Sequence, residues 1–357
     1  MSVFDSAAFE GHEALHAFSD QAAGLKCFIA IHSTARGPAA GGCRMWPYAT
    51  EQDAIDDALR LSRAMSFKNA VADLDLGGGK SVIIGDARTQ KTPEMFRAFG
   101  RAVEAVGGRY WGAEDVGLSP ADLAEARRST RFIAGLEGHP AASGDPSPVT
   151  ADGIARGIEL CVRRVLGRDL AGVRVSIQGV GHVGGYLADK LAAAGARLTV
   201  ADVHAEAAAA VARRTGAAVV PPDAIFDVEA DVFAPCALGG AVNQRTLPRL
   251  KARIVAGGAN NQLADPEVGR ALYERGMTYA PDFVINGGGI INIAGEIRAL
   301  ERGGAFDAAW VEAKLVRLTA TLDQVLEQSL RDRRPTHEIA IEIARSRIAE
   351  AGDRAAG

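Results

Sequence analysis

Lys68 and Lys80 flank an apolar run that ends in Gly77-Gly-Gly79, and they are the residues of this 357-residue chain with the clearest capacity for chemistry. A lysine ammonium is ordinarily a solvated point charge, and it becomes a base when burial or a second cation lowers its pKa. Moving it from about 10.4 to about 7–8 takes roughly 4 kcal/mol of differential destabilisation, which a closed apolar site holding two like charges can supply. In such a pair one lysine holds an anion and the other works as a base. The three glycines would let backbone approach a ligand closely. Lys80 then opens the mostly β-branched run Ser81–Ile84, which puts it on a rigid strand. Lys68 falls near the end of a helix marked by Ile55, Leu59, Ser62 and Met65, where compensating the helix dipole is its other reading. Asp115 ends the strand-like run that starts at Tyr110; it is a turn former by type, or a proton carrier if it projects into a lysine-lined cleft.

A second constellation is Gly179-Val-Gly181-His-Val-Gly184. It follows the alternating run Val173–Ile177, opens a helix from Val183 to Ala194, and leads to the strand Arg197–Ala201 and Asp202. Strand, turn, helix, strand and acid in that order form a dinucleotide-binding unit. Gly179 permits the tight turn, Gly181 lets a pyrophosphate reach the helix N-terminus, and Gly184 lets the helix pack on the strand. Asp202 suits a ribose 2′-hydroxyl and would repel a 2′-phosphate, so NAD is expected over NADP. Short strands at 217–220, 231–234 and 253–255 continue a doubly wound sheet, and their ends lead to Pro235–Gly240, Gly257–Gln262 and Asn286–Gly289. Asn260 and Asn261 in the second of these loops are ligand contacts or simple turn formers.

The elements that must hold these groups are marked by caps and breaks. Leu25–Ile31 reads as a strand, and Gly37–Trp46, rich in glycine with one proline, as a shaped loop or a plain strand connection. Thr50, Thr92-Pro93 and Ser119-Pro120 with Asp122 open helices. Val149 and Thr150 precede another helix, Val311 to Val325 mark a long amphipathic one, and Thr336 caps the last, which is expected to pack back on the first domain. The Gly- and Pro-dense run 137–148 is the expected boundary. An N-terminal α/β domain over 1–140, completed by 333–357, would bind substrate and assemble the oligomer. A Rossmann-like domain over 141–332 would bind the dinucleotide, with a cleft between the two.

With 48% apolar and 24% charged residues and a net charge of −4, the chain has the composition of a soluble globular protein and no nucleic-acid patch. No apolar run approaches the length of a membrane span, and the N-terminus lacks a signal peptide, so a cytoplasmic enzyme is expected. Its four cysteines lack paired metal-ligand spacing; they read as buried reduced thiols, and no metal site is expected.

Five motifs in order, Gly37-Pro-Ala-Ala-Gly-Gly-Cys-Arg-Met45, Leu76–Ser81, Gln178–Gly184, Ala234–Gly239 and Ile285–Gly289, resemble the family of glutamate, leucine, phenylalanine and valine dehydrogenases, most closely its leucine dehydrogenase branch. The resemblance implies NAD-dependent reversible oxidative deamination of an L-amino acid to a 2-oxo acid and ammonia. It implies Lys80 as the lysine that activates water, Asp115 as the proton carrier and Lys68 as the holder of the α-carboxylate. Gly41, Met65 and Asn261 are implied at the substrate. Thr150, Ala237 and Asn260 are implied around the nicotinamide, and Gly179, Val180, Gly181, His182, Val183, Gly184 and Asp202 around the rest of the cofactor. A homo-oligomer, dimer or octamer, is implied as well.

The same resemblance bears on specificity. Ala40 stands where glutamate-specific members carry lysine, so burying a substrate carboxylate there would be costly and an apolar substrate is expected. Leucine dehydrogenases usually have leucine at that position, which makes this pocket roomier. Ala113, Ile290 and Ile293 are the remaining wall residues, and the isoleucines favour a branched aliphatic side chain. Glu114 and His182 depart from the threonine and asparagine usual in the branch. The alternatives are a phenylalanine or tryptophan dehydrogenase and a catalytically silent NAD-binding regulator.

Overall fold

Side-chain caps decide where the first helices begin. The Thr50 hydroxyl accepts the Asp53 N–H while the Asp53 carboxylate accepts the Thr50 N–H, opening α1 (Glu51–Val71). Thr92 caps α2 (Pro93–Ala105), and a second reciprocal pair, Ser119 with Asp122, opens α3 (Pro120–Arg127). The computed structural model describes residues 3–356 and divides into two compact units. The first runs to Gly144 and adds Ile291–Val311 and the stretch from Ala344; the second is Asp145–Ile290 with Glu312–Ile343.

In the first unit, β1 (Ala14–Asp20), β2 (Leu25–Ser33), β3 (Ala39–Trp46), β4 (Gly77–Ile84) and β5 (Tyr110–Glu114) form one sheet in the order β1-β2-β4-β3-β5. β2 is antiparallel to β1 and β4, while β3 runs parallel to β4 and β5. Ala54, Ala58 and Leu59 of α1 cover Ala30 and Val82 on one face. Phe96, Phe99 and Val103 of α2 and Leu123 of α3 pack with Ile29, Ile31 and Tyr110 in the core on the other. Each such buried large side chain contributes about 1.5–3 kcal/mol.

One expectation is corrected here. Gly37–Trp46 is not a loop: from Ala39 it is β3, paired on both edges between β4 and β5. Gly77-Gly-Gly79 is the buried start of β4, where the protein itself already requires glycine. A Cβ on Gly78 would lie 2.1 Å from the Ser66 Oγ of α1, and one on Gly79 2.6 Å from the Tyr110 ring. The helix therefore rests on bare strand backbone.

The second unit opens with α4 (Ser147–Leu166), so Val149 and Thr150 lie in its first turn rather than before it. β6 (Arg174–Gln178), α5 (His182–Ala193), β7 (Arg197–Ala201), α6 (Ala205–Thr215), β8 (Ala218–Val219), β9 (Val232–Pro235), β10 (Ile254–Val255), α7 (Pro266–Glu274), β11 (Thr278–Tyr279) and α8 (Asp282–Ile285) follow. The six strands pair in parallel in the order β11-β10-β9-β6-β7-β8, with β11 unforeseen from sequence. This is the doubly wound dinucleotide-binding order, whose direction reverses between β6 and β9.

Three helices complete the chain: α9 (Gly288–Arg302), α10 (Ala308–Asp332) and α11 (Thr336–Ala356). Val311, Leu315, Leu318, Leu322 and Val325 of α10 are buried as their spacing requires. Thr336 lies inside α11 rather than capping it, and its hydroxyl donates to the Tyr279 carbonyl. The residues after Ile290 join the first unit because Glu296, fully buried, accepts from the backbone N–H groups of Gly135, Leu136 and Ser143 and from the Ser143 hydroxyl, at 2.7–2.9 Å. Relative to the expected boundaries, 141–144 and 291–311 therefore fall with the first unit and 333–343 with the second. Among the described residues no helix is long and apolar enough to cross a membrane.

Candidate active site

Lys80 is 5% exposed in the interior of β4, and its Nζ donates to Asp115 Oδ2 just past the end of β5. Burial pushes the ammonium below the ordinary lysine range against the pull of Asp115, and Arg44 adds a like-charge push in the same direction. Burial also pushes the Asp115 carboxyl up, but Lys80 and Arg44 outweigh it and hold the acid ionised below the usual range. A cation the sequence did not single out, Arg44, thus lies beside Lys80. Arg44 Nε donates to Asp115 Oδ2 at 3.1 Å and Nη1 to Asp57 Oδ2 of α1 at 3.0 Å. Tyr48 donates to the same Asp57 oxygen at 2.8 Å, and Arg60 to the other at 2.6 Å.

Around this pair the small residues of β3 and β5 lie in register. Ala40 is opposite Gly78 and Trp111, Gly41 opposite Gly112, and Gly42 opposite Ala113; Ala40, Gly41 and Ala113 are buried. A Cβ on Gly41 would touch Gly79 O at 1.9 Å and the Met65 side chain at 3.2 Å, so α1 lays Met65 directly over Gly41. Lys68 follows three residues later in the last turn of α1, half-buried. Asn69, fully buried, donates to Gly77 O at 2.6 Å and ties that turn to β4. The Tyr110 hydroxyl donates to Gly41 O at 2.7 Å and lies 2.9 Å from Ser81 Oγ. Ile293 is half-buried on α9, one turn beyond Ile290.

Sequence reasoning missed Arg44, Asp57, Tyr48 and Tyr110. The available signal was a charged residue between Cys43 and Met45, inside what proves to be a central strand.

The second unit presents backbone rather than charges. Gly179 has φ +88° in the turn after β6, and a Cβ on Gly184 would lie 2.1 Å from its carbonyl, so α5 packs tightly on the turn. Gly181 caps α5, and a Cβ there would meet nothing within 4 Å. That open cradle at a helix N-terminus, with exposed His182 and half-buried Val183, fits a dinucleotide pyrophosphate. Asp202 Oδ2 accepts the Val180 N–H and Oδ1 the His204 N–H, both at 2.8 Å, which orients the carboxylate beside the turn. Across the switch point, Ala237 N would lie 2.8 Å from a Cβ on Gly179.

The loop after β10 is braced by side-chain amides. Asn286 Nδ2 donates to Asn260 Oδ1 at 2.8 Å and to Gly258 O at 3.2 Å, while Gln262 Nε2 donates to Gly257 O and Ala259 O. Asn261 takes φ +51° and its N–H donates to Asp282 Oδ2. The Thr150 hydroxyl donates to Pro146 O within α4, against Gly289. Cys27, Cys43 and Cys161 are buried free thiols; Cys236 is free but only half-buried, accepting the Gly258 N–H.

A doubly wound dinucleotide sheet and a buried lysine–carboxylate pair define a dinucleotide-dependent oxidoreductase. The chain belongs to the Glu/Leu/Phe/Val dehydrogenase family and is an amino-acid dehydrogenase: residues 12–131 match the family's dimerisation domain and residues 198–355 its Glutamate/Leucine/Phenylalanine/Valine dehydrogenase domain. It is 45% identical to leucine dehydrogenase of Geobacillus stearothermophilus over 92% of this chain and 88% of that one. It is 43% identical to valine dehydrogenase of Streptomyces coelicolor over 96% and 94%. The solved L-tryptophan dehydrogenase of Nostoc punctiforme superposes with a TM-score of 0.84 at 36% identity, covering 96% of this chain and 97% of that one.

Proposed function

We propose that the protein catalyses the NAD-dependent, reversible oxidative deamination of a branched-chain L-amino acid, leucine foremost, to the 2-oxo acid and ammonia. The observation that carries the chemistry is Lys80, buried and lowered in pKa, in contact with the Asp115 carboxylate. Residues of the first unit carry the proton transfers and the assembly, and residues of the second hold the dinucleotide and add Asn261 and Ile290 to the substrate contacts.

When bound, NAD accepts the hydride from the substrate α-carbon. Lys68 holds the α-carboxylate, with Gly41, Met65 and Asn261 completing its surroundings. Asp115 takes a proton from the substrate ammonium, readying the α-carbon to become an iminium. Neutral Lys80 takes a proton from the water whose oxygen then bonds to that carbon; Asp115 returns a proton to the nitrogen, the C–N bond breaks to release ammonia, and the hydroxyl proton passes to solvent as the C=O bond of the 2-oxo acid forms. Thr150, Ala237 and Asn260 serve the nicotinamide end. Gly179 to Gly184 serve the pyrophosphate, and Asp202, already oriented by two N–H groups, serves the ribose; its charge disfavours a 2′-phosphate.

The substrate assignment is supported by the identity to leucine dehydrogenase and by Ala40 and Ala113, small, apolar and buried on β3 and β5, with Ile290 and Ile293 as the other proposed specificity residues. Ala40, small and 1% exposed, favours a second reading in which an aromatic side chain fits, since one or two methylenes change selectivity by only about 1–3 kcal/mol. A homo-oligomer, dimer or octamer, working in the cytoplasm is the proposed setting, supported by the dimerisation domain.

NADH formation at alkaline pH from leucine, valine, isoleucine, phenylalanine, tryptophan and glutamate tests both readings. The branched-chain acids are expected to give the highest kcat/KM and glutamate none. Aromatic preference would assign the pocket to Ala40, and no turnover with any of them would leave a silent regulator.

A further inference from the structure

Arg44 has no part in that reaction, yet it joins two acids of the first unit. Its guanidinium spans two carboxylates on different elements, with Nε on Asp115 at 3.1 Å and Nη1 on Asp57 at 3.0 Å. Asp57 is fixed in turn by Tyr48 and Arg60. Lys80 and Arg44 donate to the same oxygen of Asp115, Oδ2. We propose that Arg44 is a positioning residue for the proton-transfer pair: it supplies a permanent counter-cation to Asp115, so that before substrate binds Lys80 can be neutral while Asp115 is a carboxylate. This rests on the functional reading above.

The charge balance explains why such a residue is needed. If Lys80 were the sole partner of Asp115, removing its proton would leave a buried carboxylate uncompensated, and the lysine would hold that proton tightly. With Arg44 in place, the Asp115 charge is met whether or not Lys80 is protonated. The Asp115 and Asp57 charges outweigh the cost of burial and raise the guanidinium further, so it does not titrate in the working range. Cys43, Tyr110 and Tyr48, which also face the pair, stay neutral there. Burial pushes the Cys43 thiol to about 12, the Tyr110 phenol well above its usual value, and the Tyr48 phenol, with Asp57, upward as well. Asp122 acts on Cys43 only as a more distant charge. A guanidinium suits the task because its planar fork reaches two acids in fixed geometry and keeps its proton.

The test compares wild type with two charge-removing variants, Arg44→Gln and Arg44→Met, and with Arg44→Lys. Two quantities are followed against pH: kcat/KM for leucine, and the Lys80 Cε resonance in lysine-labelled protein, identified by its loss in Lys80→Arg. Removing the cation is expected to move both the acid limb of the rate profile and the resonance midpoint to higher pH by about one unit, a tenfold loss of rate below the limb that alkaline pH partly restores. Arg44→Lys should lower the plateau while leaving the limb within a few tenths of a unit. A limb and a resonance that stay in place, with only the plateau reduced, would overturn the proposal in favour of a packing role. If wild type turns over no amino acid, the functional reading fails, and the resonance titration still decides the role of Arg44.

Discussion

The two sheets hold their working groups by opposite means. In the first, charges lie inside: Lys80 and Arg44 are on strands within the sheet and share the Asp115 carboxylate, with Asp57 the second partner of Arg44. In the second, the groups are backbone and small residues at strand ends, with Gly181 open and Asp202 already bonded to Val180. Charges buried in a network respond to pH, whereas a shaped turn responds to bulk. A substitution in the first unit should therefore change the chemistry without changing dinucleotide affinity, and one in the second should do the reverse.

The largest effect expected is from Lys80→Ala, with kcat for leucine falling about 1000-fold or more while the NADH dissociation constant, read by fluorescence titration, stays within about twofold. A comparable loss of NADH affinity would break the division of labour. Next comes Gly181→Val, whose side chain has room in the free protein but occupies the cradle. NADH affinity should fall about 10- to 100-fold, with thermal midpoint and pH profile unchanged; a shifted profile would mean the two regions are not separable in this way.

The smallest effect sharpens the comparison by separating pH sensitivity from catalysis. His32 sits against His12, with Nδ1 2.7 Å from Ser66 Oγ, and burial first, then His12 and Arg63, push its pKa to about 4 from 6.5. The folded state thus resists a proton that the unfolded chain accepts, so stability is full above pH 6.5 and declines as pH falls toward 4. Allowing for partial exposure, the loss is on the order of 2 kcal/mol. Urea midpoints at neutral and acid pH should differ less in His32→Asn than in wild type. The control is His337→Gln in the second unit, whose imidazole is also buried, has no partner for either nitrogen, and is also pushed down by burial. If that variant flattens the acid loss and His32→Asn does not, pH sensitivity belongs to the wrong unit.

Most elements were legible because their signals are local. Thr50, Thr92 and Ser119 announce helices through bonds to residues three positions on, and the glycines of 179–184 announce a turn whose φ demands them. What was not legible depends on partners far away in sequence. Gly78 looks like a loop residue until Ser66 of the covering helix is seen against it. Thr336 looks like a cap because its other partner, the Tyr279 carbonyl, lies 57 residues upstream. The lysines and Asp115 were visible as types. Arg44 was not, because its meaning comes from Asp57 at 13 residues and Asp115 at 71, joined only once β3 is a strand between β4 and β5.

Glu296 carries a consequence for the order in which the chain is made. Its carboxylate is the acceptor for backbone N–H groups at 135, 136 and 143, and 153 residues separate it from Ser143. At about 5–20 residues per second of synthesis, those donors wait roughly 8–30 s for their acceptor. During that interval the nascent first unit already has all five strands of its sheet but not the group that fastens the segment after Ile133, so the 135–143 stretch is left without its acceptor and open to a protease or a chaperone. The first unit, earliest in sequence, is therefore among the last parts of the protein to be finished.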